Sequence, residues 1–147
     1  MKKLFFISIL VLVGTALFAQ NADKVIGVWL TQDGDSKVTI TKDSKGKFNG
    51  EITWLKTPVN EDGTPKIDDK NPEKKLQTRP IMGLKLLSGF VYDDDDNEWV
   101  DGEIYDPKSG KTYSCLMWFE DDPNTLSVKG FIGFSLIGKE VAWTRSN

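Results

Sequence analysis

Apolar and polar residues alternate along short runs through most of the chain, and turn-forming residues separate these runs. The period of two residues is typical of β-strands that have one buried face. Turn signals recur about every eight to twelve residues, the spacing expected of an antiparallel sandwich or barrel. The pattern predicts eight strands, at residues 25–31, 37–42, 48–54, 84–92, 99–105, 111–119, 126–129 and 140–145.

Eight short antiparallel strands joined as a meander favour a closed barrel, because closure removes the two unpaired edges of a sheet. A two-sheet sandwich is the alternative. No stretch has the 3.6-residue apolar period of a long helix. One short helix is predicted, with Asn71 as its cap, Pro72 at its first position, residues 73–77 as its body and Pro80 as its end. We therefore predict an all-β, eight-stranded antiparallel barrel with one long loop that carries a short helix.

The same alternation predicts which side chains face the barrel interior. An eight-stranded barrel either fills its interior with side chains or holds one small ligand. Gly50, Gly102 and Gly130 fall within predicted strands, where they could leave space for an apolar ligand or let the barrel close around large aromatic residues. Both interpretations stay open. The predicted inward-facing residues are Val38, Ile40, Phe48, Ile52, Trp54, Tyr113, Met117, Phe119, Leu126 and Val128.

Residues 56–83 interrupt the strand rhythm. Connections of this length in a compact domain usually serve a function or have structure of their own. The segment brings Asp68, Asp69, Asn71 and Arg79 close together in sequence. It is either a lid or binding loop at one mouth of the barrel, or a surface loop held by local hydrogen bonds in which Arg79 pairs with one of the aspartates.

The N-terminus has the three-part pattern of a secretory signal. Lys2 and Lys3 precede an apolar run over residues 4–18, and small Ala19 followed by Gln20 offers a cleavage site. The run is short for a transmembrane helix, and the next segment is polar. We predict a signal peptide at residues 1–19, cleaved after Ala19, and a single barrel domain at residues 20–147. The mature chain would be periplasmic or secreted, with no integral membrane span.

Composition excludes much chemistry. The chain of 147 residues has no histidine and one cysteine, which removes Ser-His and Cys-His nucleophile pairs, histidine-ligated metals and internal disulfides. Loss of the signal would leave 17 basic and 22 acidic residues, a formal charge of −5. An acidic exported protein is a poor partner for nucleic acid or anionic membrane surfaces. No cofactor, metal or nucleic-acid partner is predicted, and a protein partner stays unknown.

Several short motifs occur together in a characteristic order. The chain resembles a family of secreted bacterial proteins known as domain of unknown function 2147, over nearly the whole mature sequence. The resemblance implies an exported, lipocalin-like β-barrel and brings no activity with it. The motifs that carry it are GVW at 27–29, DDKNP at 68–72, RPIMGL at 79–84, LLSGF at 86–90, GEIYDP at 102–107, GKTY at 110–113, GFIG at 130–133 and WTR at 143–145.

Gly27, Trp29 and Arg145 look like the Gly-x-Trp and closing arginine of lipocalins. An arginine plane over an indole can close the narrow end of a barrel, with a cation–π contribution of about 0.5–2 kcal/mol. The three residues are therefore expected to be structural. Asp106 and Lys111 flank a predicted turn and are expected to stabilise it, Asp106 by accepting turn amides and Lys111 by pairing with it. Asp68 and Asn71 are also expected to be structural.

Three further features invite chemical interpretations. The acidic turn at 93–98 fails as an EF-hand, because the sixth and twelfth positions hold Glu98 and Ile104 rather than Gly and Glu. Cys115 is expected to be a buried small hydrophobe, since no histidine is present to activate it. The strand carboxylates Glu51, Asp101 and Glu103 could serve glycoside hydrolysis if two of them faced one cleft.

The leading hypothesis is a small exported barrel that binds a hydrophobic or amphiphilic, lipid-like molecule. Its predicted ligand-binding residues include Arg79, which would meet a polar head group at the mouth. One alternative is a protein-interaction or inhibitory module that uses the segment at 56–83, and a third is a carboxylate hydrolase. Enzymatic activity is not favoured, and no catalytic residue is assigned. The side chains predicted to line the pocket are Phe48, Trp54, Tyr113, Met117 and Phe119.

Overall fold

A computed structural model describes residues 19–133 and 138–147, in which eight antiparallel strands close into one barrel. Each strand pairs with the next along the chain, and the last pairs with the first through Trp29 and Arg145. The predicted eight-stranded meander barrel is confirmed, and the sandwich alternative is wrong. The strands are β1 (Gly27–Leu30), β2 (Ser36–Lys42), β3 (Phe48–Leu55), β4 (Lys85–Asp93), β5 (Glu98–Asp106), β6 (Lys111–Phe119), β7 (Thr125–Phe131) and β8 (Gly138–Ser146).

Two short 3₁₀ turns lie within the described part of the chain, Asp23–Val25 and Lys74–Leu76. The second is the predicted short helix of the long loop, and it is shorter than the expected span of 73–77. The Asn71 side-chain oxygen accepts the Glu73 amide at 2.9 Å in a local turn just before it. So short a segment cannot offset the cost of nucleating an α-helix. Among the described residues, no helix is long and apolar enough to cross a membrane. The predicted signal falls on residues 1–19, nearly all outside the described part.

A β-bulge in β3 reverses the side-chain alternation near the end of that strand. Val38 pairs with Ile52 while Lys37 pairs with Trp54, so one extra residue lies between the two pairs. An extra residue shifts every later side chain to the opposite face. Trp54 is therefore 40% exposed on the outer surface, where the Lys37 amine lies 5.5 Å from its ring centroid. The prediction that Trp54 faces the interior is wrong, and Leu55 takes the inward position.

One end of the barrel, here called the filled half, is packed with aromatic side chains. The Phe119 ring lies 5.7 Å from Trp29 and 5.4 Å from Trp99, centroid to centroid. Phe48 meets Trp99 edge-on at 6.4 Å. A Cβ atom added at Gly102 would overlap the ring of buried Phe90. At this glycine the barrel closes around a large aromatic residue, which is one of the two interpretations left open by the sequence.

The chain before β1 closes the end of the barrel at the filled half. The indole nitrogen of Trp99 donates to the Ala22 carbonyl at 3.0 Å, and that of Trp29 donates to the Val25 carbonyl at 2.9 Å. The side chains of Ala22 and Val25 are buried in the same core cluster. Buried indole N–H groups need a partner. The two bonds therefore fix the N-terminal segment across this end of the barrel.

Arg145 covers the outside of this seal. Its guanidinium lies 4.2 Å from the Trp29 ring centroid and donates to the carbonyls of Lys24 at 2.8 Å and Ile26 at 3.2 Å. Gly27 has a φ of +140°, and a Cβ atom there would lie 2.9 Å from the Arg145 guanidinium. Glycine at this position allows the close approach of the arginine. The cluster therefore closes the barrel through stacking and backbone hydrogen bonds together.

Candidate functional site

The opposite end of the barrel, the hollow half, encloses a cavity of about 1150 Å³ that opens to solvent. Its mouth is formed by the β1–β2 turn at 31–35, the β5–β6 turn at 106–108 and the long connection at 56–84, here called the strap. Polar and charged side chains concentrate at this mouth. The wall below is apolar and includes Ile52, Leu55, Leu86, Ile104, Val128, Phe131 and Val141.

The hollow half follows from the sizes of the inward-facing residues. On β7 they become smaller along the strand, from Leu126 through Val128 to Gly130. Gly130 lines the cavity, where an added Cβ atom would be in ordinary van der Waals contact with Ile104 at 3.4 Å and Tyr113 at 3.6 Å. At Gly130 the absence of a side chain adds to the open space of the cavity, in contrast to the close packing at Gly102. The same barrel is packed at one end and empty at the other.

Of the six predicted ligand-binding residues, Tyr113 alone is among the described residues that line the cavity. Phe48, Met117 and Phe119 do face inward, but they pack in the filled half, with Phe48 and Met117 almost fully buried. Their inward orientation follows from the alternation, which carries no information about depth along the barrel axis. Trp54 lies outside because of the β3 bulge described above.

Arg79 does not line the cavity, and its guanidinium forms an ion pair with Asp68 instead. Its Nε atom donates to one carboxylate oxygen of Asp68 at 2.9 Å, and its Nη2 atom lies 2.9 Å from the same oxygen. The guanidinium also lies 5.8 Å from the Tyr105 ring centroid. The prediction that Arg79 meets a ligand head group conflicts with this arrangement, whereas the Arg79–Asp68 pair matches the other interpretation of the segment.

Asp68 is the central acceptor of a buried hydrogen-bond network that joins the strap to the barrel. The carboxylate is fully buried and also accepts hydrogen bonds from the Tyr105 hydroxyl at 2.6 Å and the Asn71 amide at 2.9 Å. Burial and the hydrogen bond and charge of Asp68 raise the pKa of Tyr105 to about 12, against smaller opposing effects of Asn71 and Arg79. A buried carboxylate needs such partners, so the network holds the strap at the cavity mouth.

The strap also packs directly on the β5–β6 turn. Gly110 has a φ of +72°, and a Cβ atom there would overlap the Lys70 carbonyl oxygen. Asp106 shapes this turn by accepting the Lys108 amide at 3.0 Å and the Ser109 hydroxyl at 2.7 Å. Lys111 stands opposite Asp106 in the β5–β6 ladder, but no ion pair joins the two among the described residues. The expected side-chain pairing of Lys111 is therefore wrong.

One ion pair joins opposite sides of the mouth. The Lys108 amine lies 3.1 Å from the Asp35 carboxylate. Because the β1–β2 and β5–β6 connections are four strands apart in an eight-stranded barrel, this contact spans the opening. Burial acts to raise the pKa of Asp35, but hydrogen bonds from Lys108, Thr31 and Ser36 outweigh it, so the pKa is lowered. Asp35 therefore stays ionised and holds Lys108 across the mouth.

The other candidate reactive groups lie away from the cavity. Glu51, Asp101 and Glu103 are exposed and do not line this cavity. Cys115 is buried between β5 and β7, and burial raises the pKa of its thiol to about 12. A thiol in this state is not a nucleophile near neutral pH.

Sequence reasoning missed several cavity residues. Leu55 was not predicted to face inward because the bulge reverses the alternation in β3. Tyr105 was not predicted either, because the period-two pattern of its strand does not place it inside, although it stands beside the predicted turn. Ile81 and the strap lysines belong to a segment without a strand pattern. The one signal available for them was the length of that segment, which suggested a loop at a barrel mouth.

Comparisons with known proteins agree with this architecture. A solved structure titled "Protein HP1028 from the human pathogen Helicobacter pylori belongs to the lipocalin family" is similar, with a TM-score of 0.67 and 24% sequence identity, over 84% of this chain and 83% of that one. This likeness supports the lipocalin-like fold. No curated protein matches the chain. A family model described as "Uncharacterized protein conserved in bacteria (DUF2147)" matches residues 27–145. Since the match covers the barrel from the start of β1 into the end of β8, the chain belongs to this family.

Proposed function

We propose that the protein binds one small hydrophobic or amphiphilic molecule inside the hollow half of its barrel. The observation that carries the proposal is the cavity of about 1150 Å³ with an apolar wall and a charged mouth. Ligand pockets generally range from about 300 to 1,000 Å³ and combine apolar walls with a few polar groups. The cavity lies slightly above this range, with room for one small molecule, and it has the polarity gradient that an amphiphile requires.

The apolar wall provides the main driving force. Removing apolar surface from water contributes roughly 0.8 kcal/mol for each buried CH₂ group. A chain of several methylenes could lie against residues such as Ile52, Ile104 and Val141, which belong to three different strands. Tyr113 stands among them with a phenolic group that could orient a polar atom of the ligand. The filled half ends the cavity and limits how far a tail can enter.

Displacement of a fluorescent apolar probe tests the proposal. N-phenylnaphthylamine should bind the protein with enhanced fluorescence and be displaced by a medium-chain amphiphile. Val141→Phe adds bulk to the cavity wall, and Ala142→Phe adds bulk at the exposed neighbouring position. Binding should weaken roughly tenfold in the first variant, the equivalent of about 1.4 kcal/mol, and stay nearly unchanged in the second. Equal binding by both variants, or no probe binding by the native protein, would contradict the proposal.

We further propose that residues 1–19 are removed on export and that the mature protein is periplasmic or secreted. The basic and apolar pattern of residues 2–18 supports this. Cleavage after Ala19 would also keep Ala22 and Val25, whose carbonyls hold Trp99 and Trp29 in the filled half. Mass measurement of the protein from its native host should give a chain that begins at Gln20, and an intact Met1 would contradict the proposal.

An interaction role for the strap has weaker support. Val59, Ile67 and Met82 on the strap are each more than 40% exposed. Exposed apolar side chains can mark a protein contact when they form one patch. Replacing Val59 and Met82 with serine should abolish a stable complex with a protein partner if this role holds, while probe binding in the cavity should persist, because neither residue lines the cavity.

A further inference from the structure

We propose that the mouth of the cavity selects amphiphiles with an anionic head group, held by Lys56, Lys66, Lys70 and Lys139. This inference rests on the proposed function, because the head group needs a tail in the cavity to place it. All four lysines line the cavity, three of them on the strap and the fourth on β8. Positive charge thus approaches the opening from more than one side.

The acidic residues at the mouth offset the charge of this set only in part. Asp35 is held by Lys108, Thr31 and Ser36, and the carboxylate of Asp106 accepts hydrogen bonds within its own turn. Asp33 and Asp69 are the remaining carboxylates among the described cavity-lining residues. The described cavity-lining residues thus include five lysines, counting Lys108, and four aspartates, a net excess of one positive charge on a chain whose formal charge is −3.

The four lysines have no carboxylate partner of their own. None of them takes part in an ion pair between described residues. The stretches 1–18 and 134–137 contain no aspartate or glutamate, so they cannot supply one. Unpaired ammonium groups beside an apolar cavity are available to an anion that arrives with a ligand. The head group would gain charge-assisted hydrogen bonds that no uncharged head group can make equally well.

The backbone positions of these lysines are fixed even without a ligand. The Lys56 amide donates to the Asp35 carbonyl at 2.8 Å, and the Lys66 amide and carbonyl both make strap hydrogen bonds. Lys70 packs its carbonyl against Gly110, and Lys139 pairs with Gly130 in the β7–β8 ladder. The structure thus fixes where the lysines stand, while their long side chains can adjust to the head group.

Three amphiphiles with the same tail test the inference: dodecanoate, dodecanol and dodecyltrimethylammonium, each used to displace N-phenylnaphthylamine. Lys56→Gln/Lys66→Gln removes two charges from the mouth, and Lys45→Gln/Lys47→Gln removes two from the exposed β2–β3 turn. Each exposed charge pair contributes only modestly, so the loss of two should make the mouth variant bind dodecanoate roughly fivefold more weakly. The control variant should match the native protein because charges beyond about 10 Å are screened at about 0.1 M salt.

The native protein should bind dodecanoate roughly tenfold or more tightly than the cationic amphiphile, the equivalent of about 1.4 kcal/mol. Of the three amphiphiles, only dodecanoate should bind more weakly when salt is added. The inference is overturned if dodecanol and dodecanoate lose equal affinity in the mouth variant, or if the control variant loses as much affinity for dodecanoate as the mouth variant does. In that case the dodecanol result would still support a binding cavity. Failure of all three amphiphiles to displace the probe would instead count against the proposed function itself.

Discussion

Replacement of Asp68 by asparagine should destabilise the protein strongly, because this carboxylate is fully buried and is surrounded by donors. The donors are the Tyr105 hydroxyl, the Asn71 amide and the guanidinium of Arg79, all within 2.9 Å. An asparagine at this position would keep the shape but lose the charge, and its amide hydrogens would face some of the same donors. Breaking a buried charged pair costs about 3–5 kcal/mol. Since the Arg79 side chain is 38% exposed and can regain water, we expect the lower end, about 3 kcal/mol.

Urea unfolding followed by tryptophan fluorescence measures this loss, and thermal unfolding should show a fall in melting temperature on the order of 10 °C. Asp69→Asn is the matched control, because Asp69 is exposed and its replacement should change stability by no more than about 0.5 kcal/mol. Tyr105→Phe removes one donor and should cost about 1–2 kcal/mol. A loss below about 1 kcal/mol for Asp68→Asn, or an equal loss for Asp69→Asn, would refute the role of the network.

Three further predictions follow from the titrating groups and the mouth. Tyr105 has a pKa raised to about 12 from 10.0, so its contribution to stability is complete below pH 10.0 and is lost as the pH rises towards 12. Tyr105→Phe should therefore remove the fall in the free energy of urea unfolding over this pH range. An unchanged pH profile in this variant would contradict the raised pKa of Tyr105. The Cys115 thiol is buried with a pKa of about 12, so a thiol reagent at about pH 8 should label the folded protein roughly a hundredfold or more slowly than the urea-unfolded chain, and rapid labelling of the folded state would show that the site is open. Lys108→Ala breaks the exposed contact with Asp35 across the mouth; stopped-flow mixing should show faster probe entry with stability changed by less than about 1 kcal/mol, and an unchanged entry rate would exclude a gating role.

The strand order could be predicted because period-two alternation and turn residues are local signals. β6 shows how well this works, since Tyr113, Cys115, Met117 and Phe119 all face inward as the pattern indicates. Trp54 shows where it fails. A bulge adds one residue to the strand, and nothing in the residues around Trp54 marks which residue is extra. The pairing partner on β2 decides the outcome, and that partner is known only once the barrel has formed.

The candidate site was harder to predict than the fold because depth along the barrel has no period. Phe48 and Tyr113 are both inward-facing aromatic residues, yet the first lies in the filled half and the second lines the cavity. The difference arises from their neighbours at each depth, since Phe48 packs against Trp99 whereas Tyr113 lies beside Gly130, which has no side chain. Asp68 and Arg79 are close in sequence and their pairing was among the interpretations, but Tyr105 is 37 residues from Asp68 and is brought to it by the fold.

Native mass spectrometry of the protein purified from its native host tests the central claim most directly. The account predicts a bound amphiphile at one copy per chain, present on the native protein and on Ala142→Phe but depleted on Val141→Phe. It further predicts that the released molecule carries an anionic head group. Repeated absence of any bound mass, or an adduct retained equally by Val141→Phe, would contradict binding inside the barrel.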